Sequence, residues 1–401
     1  GDVGYYDQKA AIMDQIEGII SDPEVEGTGI KAALTTLSQA LADFSQSPYQ
    51  ETNANIVMNA FKGVTQVLNE YDANLKTLME QTKNDLSVAV EDINTKLDQL
   101  SELNSSIAHE IFSNNDYDGV NYGPNDLLDQ RNVILDDLSR YGDVQVTDLE
   151  DGKIQVKING KVVVDASGAS YTNDKLNIGS DGVTLTWNSN NQNANLGAGA
   201  IRGFTDMLTG ADPINAGIPY YQNKMDNFAQ TLADVFNNKI HADDPDFPDK
   251  YKFLLQGGVD GKVTAGNISI SDQWADDVSY IIRKQNPDGE LDNQDILDMK
   301  AAFEQDFNFG GEYTGTFSEF ITSVTNTLGS GIKTNSARMS ASLAIAESAD
   351  SERMGVSGVS LNEEGISMMT YNKAYQALGR LMTTMDEQLD MIINKMGIVG
   401  R

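Results

Sequence analysis

Two histidines, no cysteine and a few carboxylate-rich segments are all that this 401-residue sequence offers for chemistry. His109 falls in a long helical pattern and His241 at a helix end, and no Ser or Asp neighbourhood makes either a member of a hydrolytic triad. Without Cys there is no thiolate nucleophile, disulfide or Cys-based zinc site, and the redox compartment cannot be read from cysteine pairing. The run Gly197-Ala198-Gly199-Ala200-Ile201-Arg202-Gly203 places its third glycine one position late for a dinucleotide fingerprint and lacks a surrounding βαβ unit, so it reads as a strand-to-helix turn. Asn114, Asp116, Asp118 and Gly119 imitate the first half of a calcium loop. Position one, however, is Asn and position twelve is Asn125 instead of Glu, which makes an Asx-rich turn the default. Asp243, Asp244, Asp246 and Asp249 are interleaved with Pro245 and Pro248, a pattern of a solvated loop and not of paired catalytic carboxylates. The expectation is a chain that is not an enzyme and carries no catalytic, cofactor or metal site.

Charge narrows the partners. Sixty acidic and 28 basic residues give a net charge of -32, so every phosphate of a nucleic acid or an anionic membrane would meet net repulsion. No apolar run approaches the ~18 to 20 residues of a membrane-spanning helix. The opening Gly1-Asp2-Val3-Gly4-Tyr5-Tyr6 has neither an initiator Met nor the layout of a secretory signal, and reads as a boundary within a longer protein.

The elements that must position any site are mainly helical. Ala10, Met13, Ile16, Ile19 and Ile20 mark a first helix, Ile30 to Phe44 a second, and about Asn53 to Ile111 a very long third. From Val67 the third helix steps through Tyr71, Leu75, Leu78, Thr82, Leu86, Ala89, Ile93, Leu97 and Leu100, an eleven-residue repeat averaging about 3.67, which implies a nearly straight or slightly right-handed helix. A loop from Ser113 to Asn125 leads to a short amphipathic helix carrying Leu127, Leu128, Val133, Ile134, Leu135 and Leu138. From Asp143 to Trp187 the period changes to two, and Asp151-Gly152, Asn159-Gly160 and Asp181-Gly182 supply hairpin-type turns, so an antiparallel meander is expected there. Helices resume near Ala200 and over Tyr220 to Ile240. Phe253 to Ile282 suggests a second small β element, and helical periodicity returns at Asp292 to Phe303 and from Phe317 toward Ile345, with Gly355 and Gly358 offering a hinge.

The last segment is built for packing. Met368, Tyr371, Tyr375, Leu378, Met382, Met385, Leu389, Ile392 and Met396 follow a strict three-four alternation, the seam of a coiled coil. Ser360 with Glu363 offers a capping box, and a helix from Leu361 to Met396 would run about 54 Å. From Gly355 onward five acidic residues face four basic ones, and eight of the fourteen Met residues lie between Met339 and Met396. A near-neutral, Met-rich stripe on an otherwise strongly acidic chain is where copies can meet, because Met adapts to non-identical neighbours. Folding back onto an earlier helix of the same chain is the competing reading. The eleven-residue repeat of the long helix and the seven-residue repeat of this seam are not simple partners.

Several segments resemble the flagellar hook-associated protein 1 family. Gly358-Val359-Ser360-Leu361-Asn362-Glu363-Glu364, with Tyr371, Ala374, Tyr375 and Ala377 and then Thr383, Thr384, Asp386, Leu389 and Asp390, is similar to the C-terminal signature shared by flagellar axial, hook and rod proteins. More specific are Asn125-Asp126-Leu127-Leu128-Asp129-Gln130-Arg131 continuing to Leu138-Ser139, and Pro219-Tyr220-Tyr221 leading through Met225-Asp226 and Leu232-Ala233 to Asn237 and His241. Leu291 to Met299 and the opening helix through Pro48 also fit, whereas Asp143 to Asn195 matches nothing. The family's N-terminal helical segment precedes anything here. In the family that segment packs with the C-terminal helix, so the resemblance implies that the seam lacks its partner within this sequence and that the tail is unordered in the isolated chain.

The resemblance implies a structural subunit joining hook and filament, exported by the flagellar type III system to the cell exterior without a cleaved signal peptide. Its implied partners are copies of itself, the hook protein, hook-associated protein 3 and an export chaperone on the C-terminal helix. Another axial protein, flagellin-like or hook-associated protein 3, is the close alternative; an acidic secreted adhesin or a peptidoglycan hydrolase is a more distant one. The expected fold is mainly α with an inserted β domain: a discontinuous helical-bundle domain at 1–141 and 201–354, with a small β element at 253–282, a β-rich outer insertion at 142–200, and a coiled-coil-forming assembly helix at 355–401.

Overall fold

The computed structural model describes residues 1–20, 28–114, 124–165, 172–194, 196–240, 253–258, 261–282, 293–357 and 361–395. The chain divides into two compact units, Gly1–Ser340 and Ala341–Arg401. The first is organised on one long helix. Helices α1 (Asp2–Ile20) and α2 (Gly29–Gln46) precede α3 (Glu51–Asn114), whose 64 residues extend about 96 Å. The stripe expected on α3 is its buried face: Leu75, Leu86, Leu97 and Leu100 are fully buried, and the same steps continue to Asn104 and Ile107. Helix α4 (Asn125–Tyr141) packs on α3, burying Arg131 and Leu138, while Val133, expected on its apolar face, is exposed.

Strands β1 (Val144–Asp148), β2 (Ile154–Ile158), β3 (Lys161–Asp165) and β4 (Thr172–Asn173) form an antiparallel sheet in sequence order; β5 (Leu176–Ile178) and β6 (Leu185–Trp187) form a separate hairpin. Asn159 and Gly160 both take positive φ in the β2–β3 turn, as an Asn-Gly hairpin requires. Both sheets lie on α3, and Ile154, Val156, Val164 and Leu185 join the same buried cluster as the helices.

Helix α5 (Gly199–Thr209) starts at the glycine-rich run. Gly199 has φ +83°, and a Cβ there would sit 2.1 Å from the Tyr141 backbone; a Cβ on Gly4 would sit 2.1 Å from the Arg140 carbonyl. These glycines let α1 and α5 converge on the end of α4, so the run is a close-approach turn and not a phosphate cradle. Helix α6 (Ile218–Asn237) follows, then the paired short strands β7 (Leu255–Gln256) and β8 (Ser269–Ile270), then α7 (Asp272–Asp276) and α8 (Gln294–Ala301). A hairpin of β9 (Phe307–Phe309) and β10 (Tyr313–Gly315) leads into α9 (Phe317–Ser357), which passes through Gly355 without a break. Phe228, Phe236, Phe309, Phe317 and Phe320 form a fully buried aromatic cluster joining α6, the hairpin and α9, with Phe309 stacked 4.3 Å from Phe320.

Candidate functional site: an unfilled helical seam

The last element, α10 (Leu361–Asp390), is followed by a π-helical turn over Met391–Lys395. Glu363 and Glu364 lie in its first turn, where carboxylates complement the exposed N–H groups of a helix start. Thr370, Thr383 and Thr384 donate their hydroxyls to carbonyls four residues back, satisfying polar groups locally. Where the lack of an N-terminal partner led to the expectation of an unordered tail, the structure has a continuous helix over Leu361–Asp390. Its 30 residues exceed the ~12 to 15 below which isolated helices fail.

None of the α10 residues is buried. Met368, Tyr371, Tyr375, Leu378, Met382, Met385, Leu389 and Ile392 are between 49% and 78% exposed; Met396, like the capping residue Ser360, lies outside the described residues. Burying a large apolar side chain gains roughly 1.5–3 kcal/mol, so eight on one stripe form a strong and unused drive to associate. The arrangement can pack; it holds no convergent acid, base or nucleophile.

The candidates for chemistry come to little. His109 is an exposed residue of α3. His241, the carboxylates from Asp243 to Asp249, and most of the calcium-like loop between Asn114 and Asn125 lie outside the described residues. Among the described residues no group of three or more His, Cys, Asp or Glu could hold a metal ion, and no helix is long and apolar enough to cross a membrane.

The segments that carried the resemblance act as architectural anchors. Arg131 donates to the Gly152 carbonyl at 2.7 Å, tying α4 to the turn before β2; burial lowers its pKa. Asn237 accepts from the Leu254 and Leu255 amides and donates to the Leu255 carbonyl, fixing β7 on the end of α6. Asp226 accepts from the Ala265 amide at 2.8 Å, and its pKa is raised chiefly by burial. Three asparagines that sequence reading passed over do the same from α3. Asn69 donates to the Ala265 carbonyl, and Asn94 and Asn104 each bond both the N–H and the C=O of one strand residue, Leu176 and Ile154 respectively. The available signal was Asn104 on the apolar repeat, where a Leu would be expected. Near the end of α4, Tyr141 donates to Asp92 at 2.8 Å, and burial together with that bond pushes its phenol up to about 12.

Comparison with known proteins places this architecture. Residues 13–249 match the family described as flagellar hook-associated protein FlgK helical domain, and residues 351–395, which include the seam through Ile392, match the flagellar basal body rod FlgEFG protein C-terminal family. The chain is 26% identical over 434 residues to flagellar hook-associated protein 1 of Bacillus subtilis, covering 99% of this chain and 82% of that protein. It is also similar to the flagellar hook junction protein FlgK from Burkholderia pseudomallei, at 19% identity and a TM-score of 0.46, covering 59% of this chain and 42% of that one. With more than half of its length matched to the helical domain, this chain belongs to the flagellar hook-associated protein FlgK family: it is a structural component of the flagellum and not an enzyme.

Proposed function

We propose that the chain forms an adaptor layer between hook and filament, and that its assembly surface is the α10 seam from Met368 to Met396. The observation that carries this reading is the set of eight exposed apolar side chains in register on one helix of a hook-associated family member. Copies of the chain pack side by side through this stripe, with the hook protein on one side and hook-associated protein 3 on the other. Before assembly an export chaperone covers the same stripe, because an uncovered one would aggregate. The protein reaches the cell exterior through the flagellar type III apparatus without a cleaved signal, and the β-rich segment at 142–200 faces outward.

The test replaces Leu378 and Met382 by Asp (Leu378→Asp, Met382→Asp) in the full-length protein. The purified variant should melt as the parent does, since both positions are exposed, while cells carrying it should lose attached filaments and motility. Normal filaments would overturn the seam as the assembly surface.

A further inference from the structure

A groove of about 940 Å³ in the Gly1–Ser340 unit lies between α1, the loop at 211–216, β10 and the first half of α9. One wall is a row of α9 residues four apart, Ser318, Thr322, Asn326, Ser330, Thr334 and Arg338, which extends about 30 Å along the helix. That shape is a trough for a length of chain, not a pocket for a compact molecule.

Its charge runs against that of the molecule. The wall carries Lys9, Arg202 and Arg338 with one carboxylate, Glu319, on a chain whose acidic residues outnumber basic ones 60 to 28. Glu319 is occupied in accepting from the Thr316 amide and hydroxyl. Asp206, beside the groove, accepts from the Tyr5 hydroxyl at 2.9 Å and pairs with Arg202 at 3.4 Å, which holds Tyr5 and Arg202 in place. Lys9 and Arg202 both stand over the Tyr5 ring.

An independent sign of a missing ligand comes from Tyr221. It lines the groove, its side chain is fully buried, and its hydroxyl has no hydrogen-bond partner among the described residues. A buried, unsatisfied phenol costs roughly 1–3 kcal/mol, and an acceptor on a bound partner removes that cost. At the rim Ile214 is 89% exposed on a loop that Asp212 tightens by accepting from the Ile214 and Asn215 amides, an apolar contact held ready.

We propose that this groove receives an acidic segment of a second copy of this chain, with carboxylates against Lys9, Arg202 and Arg338 and an acceptor on the Tyr221 hydroxyl. A second copy is the partner whose chemistry fits, because its acidic residues outnumber its basic ones 60 to 28. The proposal rests on the reading that copies of the chain assemble, and adds a second contact, away from the α10 seam, that sets how neighbours are aligned.

The test uses the full chain with a photo-activated benzophenone side chain in place of Asn326, irradiated as a concentrated mixture of light- and heavy-isotope protein, with crosslinked peptides identified by mass. Mixed-isotope links from position 326 to an Asp/Glu-rich peptide are expected. Arg338→Glu should cut them about tenfold and Arg338→Lys should retain most of them. Tyr221→Phe should cut them several-fold while leaving the melting temperature of the uncrosslinked chain unchanged or higher, which separates a lost contact from a damaged fold. Same-isotope links alone, or mixed links that Arg338→Glu does not change, overturn the proposal. A second benzophenone in place of Leu381, on α10, distinguishes the two readings: mixed links there with none at 326 overturn the groove alone, and none at either position overturns both.

Discussion

The two longest apolar stripes in the sequence meet opposite fates. On α3 the residues from Tyr71 to Leu100 are buried at every step of the eleven-residue repeat; on α10 the seven-residue repeat is exposed at every described position. Periodicity states that a stripe needs a partner and is silent about where the partner is. What separates the two helices is the polar residues around the stripe. Asn69, Asn94 and Asn104 of α3 hold specific backbone groups of the 265–268 turn, β5 and β2, so its partners are fixed by directional bonds as well as by apolar area. On α10, Thr370, Gln376, Thr383 and Thr384 each donate to a group four residues back on α10 itself. A helix on which these four polar side chains bond locally while the apolar stripe stays exposed is organised for a surface it does not yet have.

The largest expected effect tests that contrast directly. Leu97→Ala empties a fully buried position on the α3 stripe and should cost ~2–5 kcal/mol in denaturant unfolding of the purified chain. Leu378→Ala, on a residue 60% exposed, should change stability by less than about 0.5 kcal/mol. Equal losses would mean that the α10 stripe is already buried in solution, and the contrast would collapse.

A smaller effect separates directional from apolar anchoring. Asn104 is fully buried and bonds both polar backbone groups of Ile154. Asn104→Ala should cost about 1–3 kcal/mol, because it leaves two buried strand groups without partners. Its counterpart on α10, Asn372→Ala, removes a long contact with Gln376 at an exposed site and should be near neutral. Amide exchange at Ile154 in the Asn104 variant locates the loss; unchanged protection there would deny the clamp.

What the sequence disclosed follows from the same distinction. Long regular patterns are legible in the sequence: the α3 repeat, the strands around the Asn159-Gly160 turn, α6 and the apolar alternation of α10. The β9–β10 hairpin was passed over although Phe307-Asn308-Phe309 and Tyr313-Thr314-Gly315 alternate around a Gly310-Gly311 turn, both glycines at positive φ. Three residues per strand are too few for periodicity to stand out; the aromatic cluster supplies the stabilisation that the local sequence lacks. The groove was illegible for a different reason: Tyr5, Arg202, Tyr221 and Arg338 are brought together only by the packing of α1, α5, α6 and α9, and no local window contains two of those elements.

Titration sharpens the picture of the buried side. Asp226 anchors the 265 turn against α3 and α6, and burial raises its pKa, aided by the nearby Asp72 charge. A carboxyl raised on folding favours the fold fully below its unfolded value, about 3.9, and loses that contribution as pH rises through the folded value. Asp226→Asn keeps an acceptor for Ala265 without the charge. It should therefore melt higher than the parent at neutral pH, and the two melting curves should converge below about pH 4. A variant less stable than the parent at neutral pH would mean that attraction to Lys262 and Lys76 outweighs burial there.

The smallest effect has the opposite sign and sits at a fully exposed turn. Asp181 accepts from the Thr184 hydroxyl and from the Thr184 and Val183 amides, and these bonds, the hydroxyl first, lower its pKa from 3.8 to about 2. The ionised form is thus the one the fold prefers. Its contribution is complete above the unfolded value and disappears as pH falls through about 2. Neighbouring Gly182, at φ +73°, lies against the Lys83 stem of α3, so the turn links the β5–β6 hairpin to the long helix without burying the carboxylate. Asp181→Asn removes the charge and retains an acceptor. Amide exchange at Thr184 should quicken in the variant at neutral pH and match the parent near pH 2, with no measurable change in global melting. A global change instead would place this turn among the contacts that hold α3 to the sheets, and the buried side of the molecule would then depend on its exposed edge.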